Sequence, residues 1–596
     1  MSSEPSEIQP GVQKATSRRF VIGLVVAVLL IAGLGLLTRS LRQGPEPSSI
    51  KIADVESERL LGVGSVVGFA ASDETHAWLG IPFARPPVGD LRWRAPRPAA
   101  AWSDTRDALA PGSPCVQLAS RLGGVKSTED DGFAGEEDCL FLNIWAPRQS
   151  EEDAVTSESL PVMVWVHGGG NTVGTGAAGL YDGARLAASQ RVVVVTFNYR
   201  LGPMGWFSHP ALRREADDAL EASGNFGTLD QIAALEWVRD QIEAFGGDPS
   251  NVTIFGESAG GRNIFALLVS PRARGLFHRA VIQSGSTGGR TRAEAENSVD
   301  AEPPGHRNSS AEAVAELLES AGVVPDREAA RAYAESLPDP DLLSFIRERS
   351  AREIVNAYRE PSPSGETSLE VPTGIRDGAL VPEEEALELL RAGRFARVPI
   401  LLGTNRDEQK LFLSQDPEFV RQRMGLIYTI RDRAVYAEKA REMSEAWAIR
   451  GAIAPAAAMA EAGHREVYAY RFDWDELPTR LGVDFAELLG AAHGFELPFI
   501  FGNYDLGDPL INAALFTEET EPSRERLFRE MSGYWAAFAR DGQPGRGGDG
   551  EESPGDAPEW LPWQSGPDAA EQRMILDARS DSGLRMSRVR QDALSE

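Results

Sequence analysis

Short, almost uninterrupted apolar runs alternate along this chain with longer stretches in which apolar residues return every three or four positions. PVMVWVH (161–167), RVVVVTFNYR (191–200), NVTIFG (251–256), RAVIQSG (279–285) and VPILLGT (398–404) are of the first kind. Runs this apolar, rich in β-branched residues and closed by Gly, Asn or His, predict strands buried on both faces with loops at their ends. LDQIAALEWVRDQIEAF (229–245) is of the second kind and predicts a helix. The alternation predicts an α/β fold, a mostly parallel sheet covered by helices. From about Arg290 to Arg397 the pattern is mainly helical with proline-rich breaks, which predicts a lid or substrate subregion. No internal repeat is present.

One run differs in kind. Phe20–Leu37 (FVIGLVVAVLLIAGLGLL) holds no charge, and as a helix it would extend about 27 Å, enough to cross a bilayer once. It ends in Leu36, Leu37, Thr38 and Arg39 rather than in a small-x-small site, so it reads as an uncleaved anchor, with secretion after cleavage as the alternative. The expected organisation is a polar tail (1–19), a transmembrane signal-anchor (20–37), a linker (38–52) and a catalytic domain (53–596), with the Gly/Pro/acid-rich stretch 541–558 disordered. Lys14, Arg18 and Arg19 before the span balance Arg39, Arg42 and Lys51 after it, so charge leaves the orientation open. The two cysteines, Cys115 and Cys139, read as a disulfide in a chain with an export-type segment, which places the large domain outside the cytoplasm.

Bulk composition narrows the class without naming it. With 596 residues, 42% hydrophobic and 25% charged, the chain can bury a large core. Its 89 Asp and Glu against 60 Lys and Arg give a net charge of −29, which argues against nucleic-acid and anionic-lipid partners and favours a solvated surface.

Gly256-Glu257-Ser258-Ala259-Gly260 follows the strand NVTIF and precedes a helical stretch, and it is the one G-x-S-x-G in the chain. A strand-to-helix turn of this kind strains the serine and exposes its hydroxyl, with small residues on either side to let the two elements approach. A serine hydroxyl needs a base, and the tetrahedral intermediate needs donors for its oxyanion. His167-Gly168-Gly169-Gly170, after the strand PVMVWV, offers backbone N–H groups unobstructed by side chains, joined by the N–H of Ala259. Glu257 beside the nucleophile is either an electrostatic supporting residue or a solvated carboxylate.

In a fold of this class the acid and then the histidine follow the serine. His464 (EAGHREVYAYRF) is expected to close a helix in a capping or surface role, whereas His493 (GAAHGFELPF) lies among small residues that leave an imidazole room to move. The acid is Glu408 or its neighbour Asp407, both just past the strand-like VPILLGT. Sequence shows no metal-ligand spacing, so no metal or organic cofactor is expected.

GIPFARPPVGDLRWRAPRP from Gly80, EDCLFLNIWAP from Glu137, HGGG from His167, NYRLGPMGWF from Asn198, GNFGTLDQIAALEWVRDQIEAFGGDPSNVTIFGESAGG from Gly224, GTNRDE from Gly403 and GAAHGFELPFIFG from Gly490 together resemble the type B carboxylesterase and cholinesterase family. The resemblance runs from residue 53 to the WLPW at Trp560–Trp563. It implies an α/β-hydrolase fold, Ser258, Glu408 and His493 as catalytic triad, and Gly169, Gly170 and Ala259 as oxyanion hole. It also moves Glu408 ahead of Asp407 and makes Cys115–Cys139 the family's first disulfide, closing a loop beside the gorge. Cholinesterase-like members place a tryptophan in that loop; residues 116–138 contain none, so choline esters are not the expected substrate. The aromatic that such members carry just after the acid reads as replaced, with Gln409, Lys410 and Leu411 ahead of Phe412. The expectation is therefore a serine esterase acting through an acyl-enzyme on a small or medium ester. An amide or carbamate hydrolase with the same triad, or a cell-surface binding protein of the same fold, is the alternative.

Overall fold

The computed structural model describes residues 51–590 apart from positions 73, 121–122, 128–131, 149–157, 362–366, 424–426, 548–556, 565–569, 579 and 582. The predicted span Phe20–Leu37, the tail before it and most of the linker lie outside the described residues, as do residues 548–556 of the 541–558 stretch. Among the described residues, all within the compact unit Ala53–Glu596 except Lys51 and Ile52, no helix is long and apolar enough to cross a membrane.

The apolar runs form the middle of an eleven-stranded sheet. Its strands are β1 (Phe69–Ser72), β2 (Thr75–Pro82), β3 (Phe141–Pro147), β4 (Leu160–Val166), β5 (Val193–Phe197), β6 (Gly247–Glu257), β7 (Arg279–Gln283), β8 (Ile400–Asn405), β9 (Val467–Phe472), β10 (Ala570–Leu576) and β11 (Arg585–Arg590). Across the sheet they run β11-β10-β9-β8-β7-β6-β4-β5-β3-β2-β1. From β5 through β4 to β10 neighbours are parallel, and antiparallel pairs complete both edges.

Side chains alternate across a strand, and each face of these strands has its own core. In β4, Val162, Val164 and Val166 join one cluster while Met163 and Trp165 join the other; β8 splits likewise, Ile400 and Leu402 against Leu401. A strand buried on both faces has no solvent side, hence its unbroken apolar sequence.

Helix α1 (Phe226–Gln241) and α2 (Ala259–Val269) cover the first face, and α4 (Glu521–Asp541) covers the second. Between β8 and β9 lies α3 (Arg433–Ala448), continued by a π-helical turn at Ile449–Ile453. The 290–397 region is largely helical as expected, with helices at Ser310–Ser320, Arg327–Ser336, Asp339–Glu348 and Ala351–Asn356. Of the stretch expected to be disordered, the described beginning is folded. Helix α4 runs to Asp541, Gly542 caps it at φ 76°, and Gly545 accepts a hydrogen bond from Trp560 N–H.

Candidate active site

Strand β6 ends at Glu257 and α2 begins at Ala259, so Ser258 makes the whole turn between them. Its backbone sits at φ 58°, ψ −117°, a region that costs a non-glycine residue about 1–3 kcal/mol. Ser258 N–H donates to Gln283 O at 2.9 Å and Ser258 O accepts from Arg262 N–H at 3.0 Å, which pins the turn from both sides. Such a tight turn requires the helix to start against β4: a Cβ on Gly260 would fall 2.0 Å from Val166 O. The predicted strand, turn and helix are therefore all present, and the serine is half-buried at their junction.

The glycine turn after β4 lies against this serine, since a Cβ on Gly168 would stand 3.2 Å from Ser258 Cβ. His167 anchors the turn. Its buried ring stacks on Tyr199 at 4.4 Å, its Nδ1 meets Gly168 O at 2.9 Å, and burial lowers its pKa to about 4, so it is neutral. Gly169 adopts φ 91°, and a Cβ there would meet Val173 O at 2.1 Å. Its carbonyl is turned back to accept from Thr172 and Val173 N–H. Among the described residues the N–H groups of Gly169, Gly170 and Ala259 donate to no other group, which leaves them available to an oxyanion. The Cys115–Cys139 disulfide is formed, and its loop is tied to the same turn: Gln117 donates to Gly174 O at 2.9 Å and accepts from Gly174 N–H at 2.7 Å.

His493 and Glu408 meet. His493 Nδ1 lies 2.5 Å from Glu408 Oε2, and the fully buried Glu408 accepts on its other oxygen from Ser284 Oγ (2.6 Å) and Asn405 N–H (2.8 Å). Asp407 is occupied elsewhere, with Arg406 at 2.7 Å, Lys410 at 3.2 Å and Ala491 N–H at 3.1 Å. Burial opposes its charge, but Lys410 and Arg406 hold its pKa low. His464 is not at the surface: it is buried with Nε2 2.8 Å from Val398 O, an internal histidine satisfied by a carbonyl.

The second imidazole nitrogen faces Glu257, the carboxylate that sequence left between electrostatic support and solvation, and Glu257 is buried. His493 Nε2 stands 3.0 Å from Glu257 Oε1, close enough for a charge pair although not aligned as a hydrogen bond. Ser258 Oγ has no hydrogen-bond partner among the described residues. Burial disfavours an imidazolium, but Glu257 and Glu408 outweigh it and raise the His493 pKa well above its ordinary value. A third carboxyl, Glu496, is fully buried behind them and accepts from Gln283 Nε2 (3.0 Å) and Asn405 Nδ2 (2.6 Å). Burial, then Glu257 and Glu408, push its pKa up to about 8, so at neutral pH it keeps its proton.

Two aromatic rings cover the imidazole. Trp447, at the end of α3, lies 4.8 Å from His493, and Phe412 lies 5.3 Å away with 43% of its surface exposed. An aromatic after the acid is therefore present, Phe412, because the helical turn Lys410–Leu413 carries it back over the histidine. Trp447 Nε1 donates to Ser284 O at 3.0 Å, which steadies the serine that holds Glu408. Nothing in the primary structure marks Trp447, whereas Glu496, three residues after His493, could have been sought as a second carboxyl on the same loop. The one trio able to offer metal ligands among the described residues is Asp54, Glu56 and His76. There Arg148 already supplies the cation, 3.1 and 3.2 Å from the two carboxylates.

A doubly covered, mainly parallel sheet with a strained serine between strand and helix defines an α/β-hydrolase. The carboxylesterase family matches over residues 55–438 and 416–589. Para-nitrobenzyl esterase of Bacillus subtilis (strain 168) is 35% identical over 499 residues, 81% of this chain and 89% of that relative. Cocaine esterase of Homo sapiens is 32% identical over 550 residues, 87% of this chain and 88% of that relative. A solved PNB esterase structure superimposes with a TM-score of 0.67 at 30% identity, covering 91% of this chain and 99% of its own. This chain belongs to the carboxylesterase family, and it is a carboxylic ester hydrolase.

Proposed function

We propose that the protein hydrolyses small or medium carboxylic esters through an acyl-enzyme on Ser258. The observation that carries this reading is the buried Glu408–His493 contact of 2.5 Å beside a serine held in a strained turn. In the first step His493 Nε2 takes the Ser258 proton as Oγ bonds to the ester carbonyl carbon, and the oxyanion is held by the N–H groups of Gly169, Gly170 and Ala259. Collapse breaks the C–O bond, and the alkoxide leaves with the proton from His493. Water then attacks the acyl-enzyme by the same route, releasing the acid and restoring the serine.

For this to happen Nε2 must turn from Glu257 to Ser258 Oγ. The small residues around His493 and the half-buried serine support such a movement. Absence of a tryptophan from residues 116–138 argues against choline esters. Turnover of p-nitrophenyl butyrate by the wild type but not by Ser258→Ala, with no matching cleavage of the anilide, is the expected result. Equal turnover by the alanine variant would reject Ser258, and equal cleavage of the anilide would favour the amidase reading.

The same proposal places the catalytic unit outside the cytoplasm, tethered by Phe20–Leu37. It is supported by the uncharged run and by a disulfide that an oxidising compartment would preserve. Fluorophosphonate labelling of intact cells with an impermeant probe tests it, and labelling only after lysis would reject it.

A further inference from the structure

One turn of α2 beyond Ser258 stands an arginine that has no partner among the described residues. Arg262 N–H closes the first helical hydrogen bond onto Ser258 O at 3.0 Å, so its side chain springs from the helix face that carries the serine, about 6 Å further along the axis. Its guanidinium is half-buried, and among the described residues it makes no ion pair, hydrogen bond or ring contact. Other sequestered arginines nearby are matched: Arg200 meets Asp230 at 2.7 Å, and Arg92 meets Glu137.

Arg262 is charged in unusual company. Burial, and then the like charge of Arg290, lower its proton affinity, and the phenol of Tyr199 is the other titratable group that influences it. Tyr199 OH donates to His167 O at 2.7 Å, so it belongs to the support of the glycine turn. Tyr199 thus links Arg262 electrostatically to the support of the glycine turn, and Arg290, after β7, adds a like charge. Arg290, on that loop, has a single long pairing of 3.3 Å with Glu294, a carboxylate already engaged with Thr291 N–H and Oγ1. Beside it Gly288 leaves open space, since a Cβ there meets nothing within 4 Å.

A sequestered guanidinium with no carboxylate against it is unfavourable in the free protein, the more so in a chain with a large excess of carboxylates to choose from. An anion against Arg262 supplies the missing countercharge and gains charge-assisted hydrogen bonds, bidentate where that anion is a carboxylate. We propose that Arg262, assisted by Arg290, binds a carboxylate carried by the substrate a few carbons from the scissile carbonyl, so that the preferred esters are anionic half-esters of short dicarboxylic acids. This rests on the reading of Ser258 as nucleophile, because the distance from that serine sets where the second carboxylate must lie.

The test compares kcat/KM for p-nitrophenyl hydrogen glutarate with that for p-nitrophenyl butyrate in the wild type, Arg262→Met, Arg262→Lys and Arg290→Met. Fluorophosphonate labelling of each variant reports an intact serine site. The wild type is expected to favour the anionic ester, with the ratio falling about tenfold to a hundredfold in Arg262→Met. A smaller fall is expected in Arg290→Met, and partial retention in Arg262→Lys. Free glutarate should inhibit butyrate turnover competitively, and more weakly in Arg262→Met. A wild-type ratio at or below one, or a ratio unchanged in Arg262→Met with labelling intact, overturns the inference while leaving the esterase reading standing. Failure of the wild type to cleave either ester overturns both.

Discussion

The most consequential contact at the level of single residues is the one between Glu257 and the nitrogen proposed to serve as base. An imidazole flanked by Glu408 on Nδ1 and Glu257 on Nε2 prefers its protonated form, and a protonated ring cannot accept the serine's proton. The acid limb of the kcat/KM profile should accordingly lie above the ordinary histidine value. Glu257→Gln should move it down, measured as a pH–rate series on p-nitrophenyl butyrate; an unmoved limb would show that Glu257 does not face the working imidazole. Ser258→Ala should lower kcat by about 10³-fold or more, with an unchanged thermal transition as control. Ser258 and His493 stand out in the sequence because each sits in a local pattern, glycines about a tight turn or small residues about a ring, and the structure brings His493 against Glu408. Sequence leaves Asp407 and Glu408 unresolved on residue logic alone, because only the tertiary partners of Asp407, namely Arg406, Lys410 and Ala491 N–H, show which carboxylate is already committed.

Among the elements, the junction of β4, β6 and α2 tolerates the least change. Strand and helix approach so closely at Gly260 that a methyl group would collide with the Val166 carbonyl, a backbone atom that cannot rotate away. Gly260→Ala is expected to cost ~3 kcal/mol or more, and denaturant unfolding of the variant measures it. The central strands were legible because burial on both faces leaves a continuous apolar signature, and the nucleophile's helix because glycines bound its start. Trp447 was illegible for the opposite reason. Nothing in α3 distinguishes a tryptophan that covers a histidine from one that fills a core, and only the packing of α3 beside the loop after β7 decides between them.

For the molecule as a whole, stability should respond to the buried carboxyl of Glu496 and to the disulfide. Glu496 has a folded pKa of about 8, raised above its unfolded value. Between about pH 4.5 and pH 8 the unfolded chain has released this proton while the folded one keeps it, so stability falls as pH rises through that window and the loss is complete above it. Thermal melts of Glu496→Gln should gain on the wild type progressively across that range; parallel curves would show that Glu496 is ionised in the fold. Replacing Cys115 and Cys139 together by serine opens a loop with a sequence separation of 24 and should cost about 3 kcal/mol, read from urea unfolding with and without reductant.

The order of strands also governs when activity can first arise. Leading from β6 toward one edge, each parallel neighbour comes later in the chain: β7, β8, β9 and then β10. The serine follows β6 itself, and the histidine lies in the connection between β9 and β10. Along the chain, then, the serine elbow is encoded far ahead of the imidazole, and the proposed site is complete only once the segment carrying His493 has been made and packed. Chains that stop before His493 would carry Ser258 without the imidazole that has to pair with it.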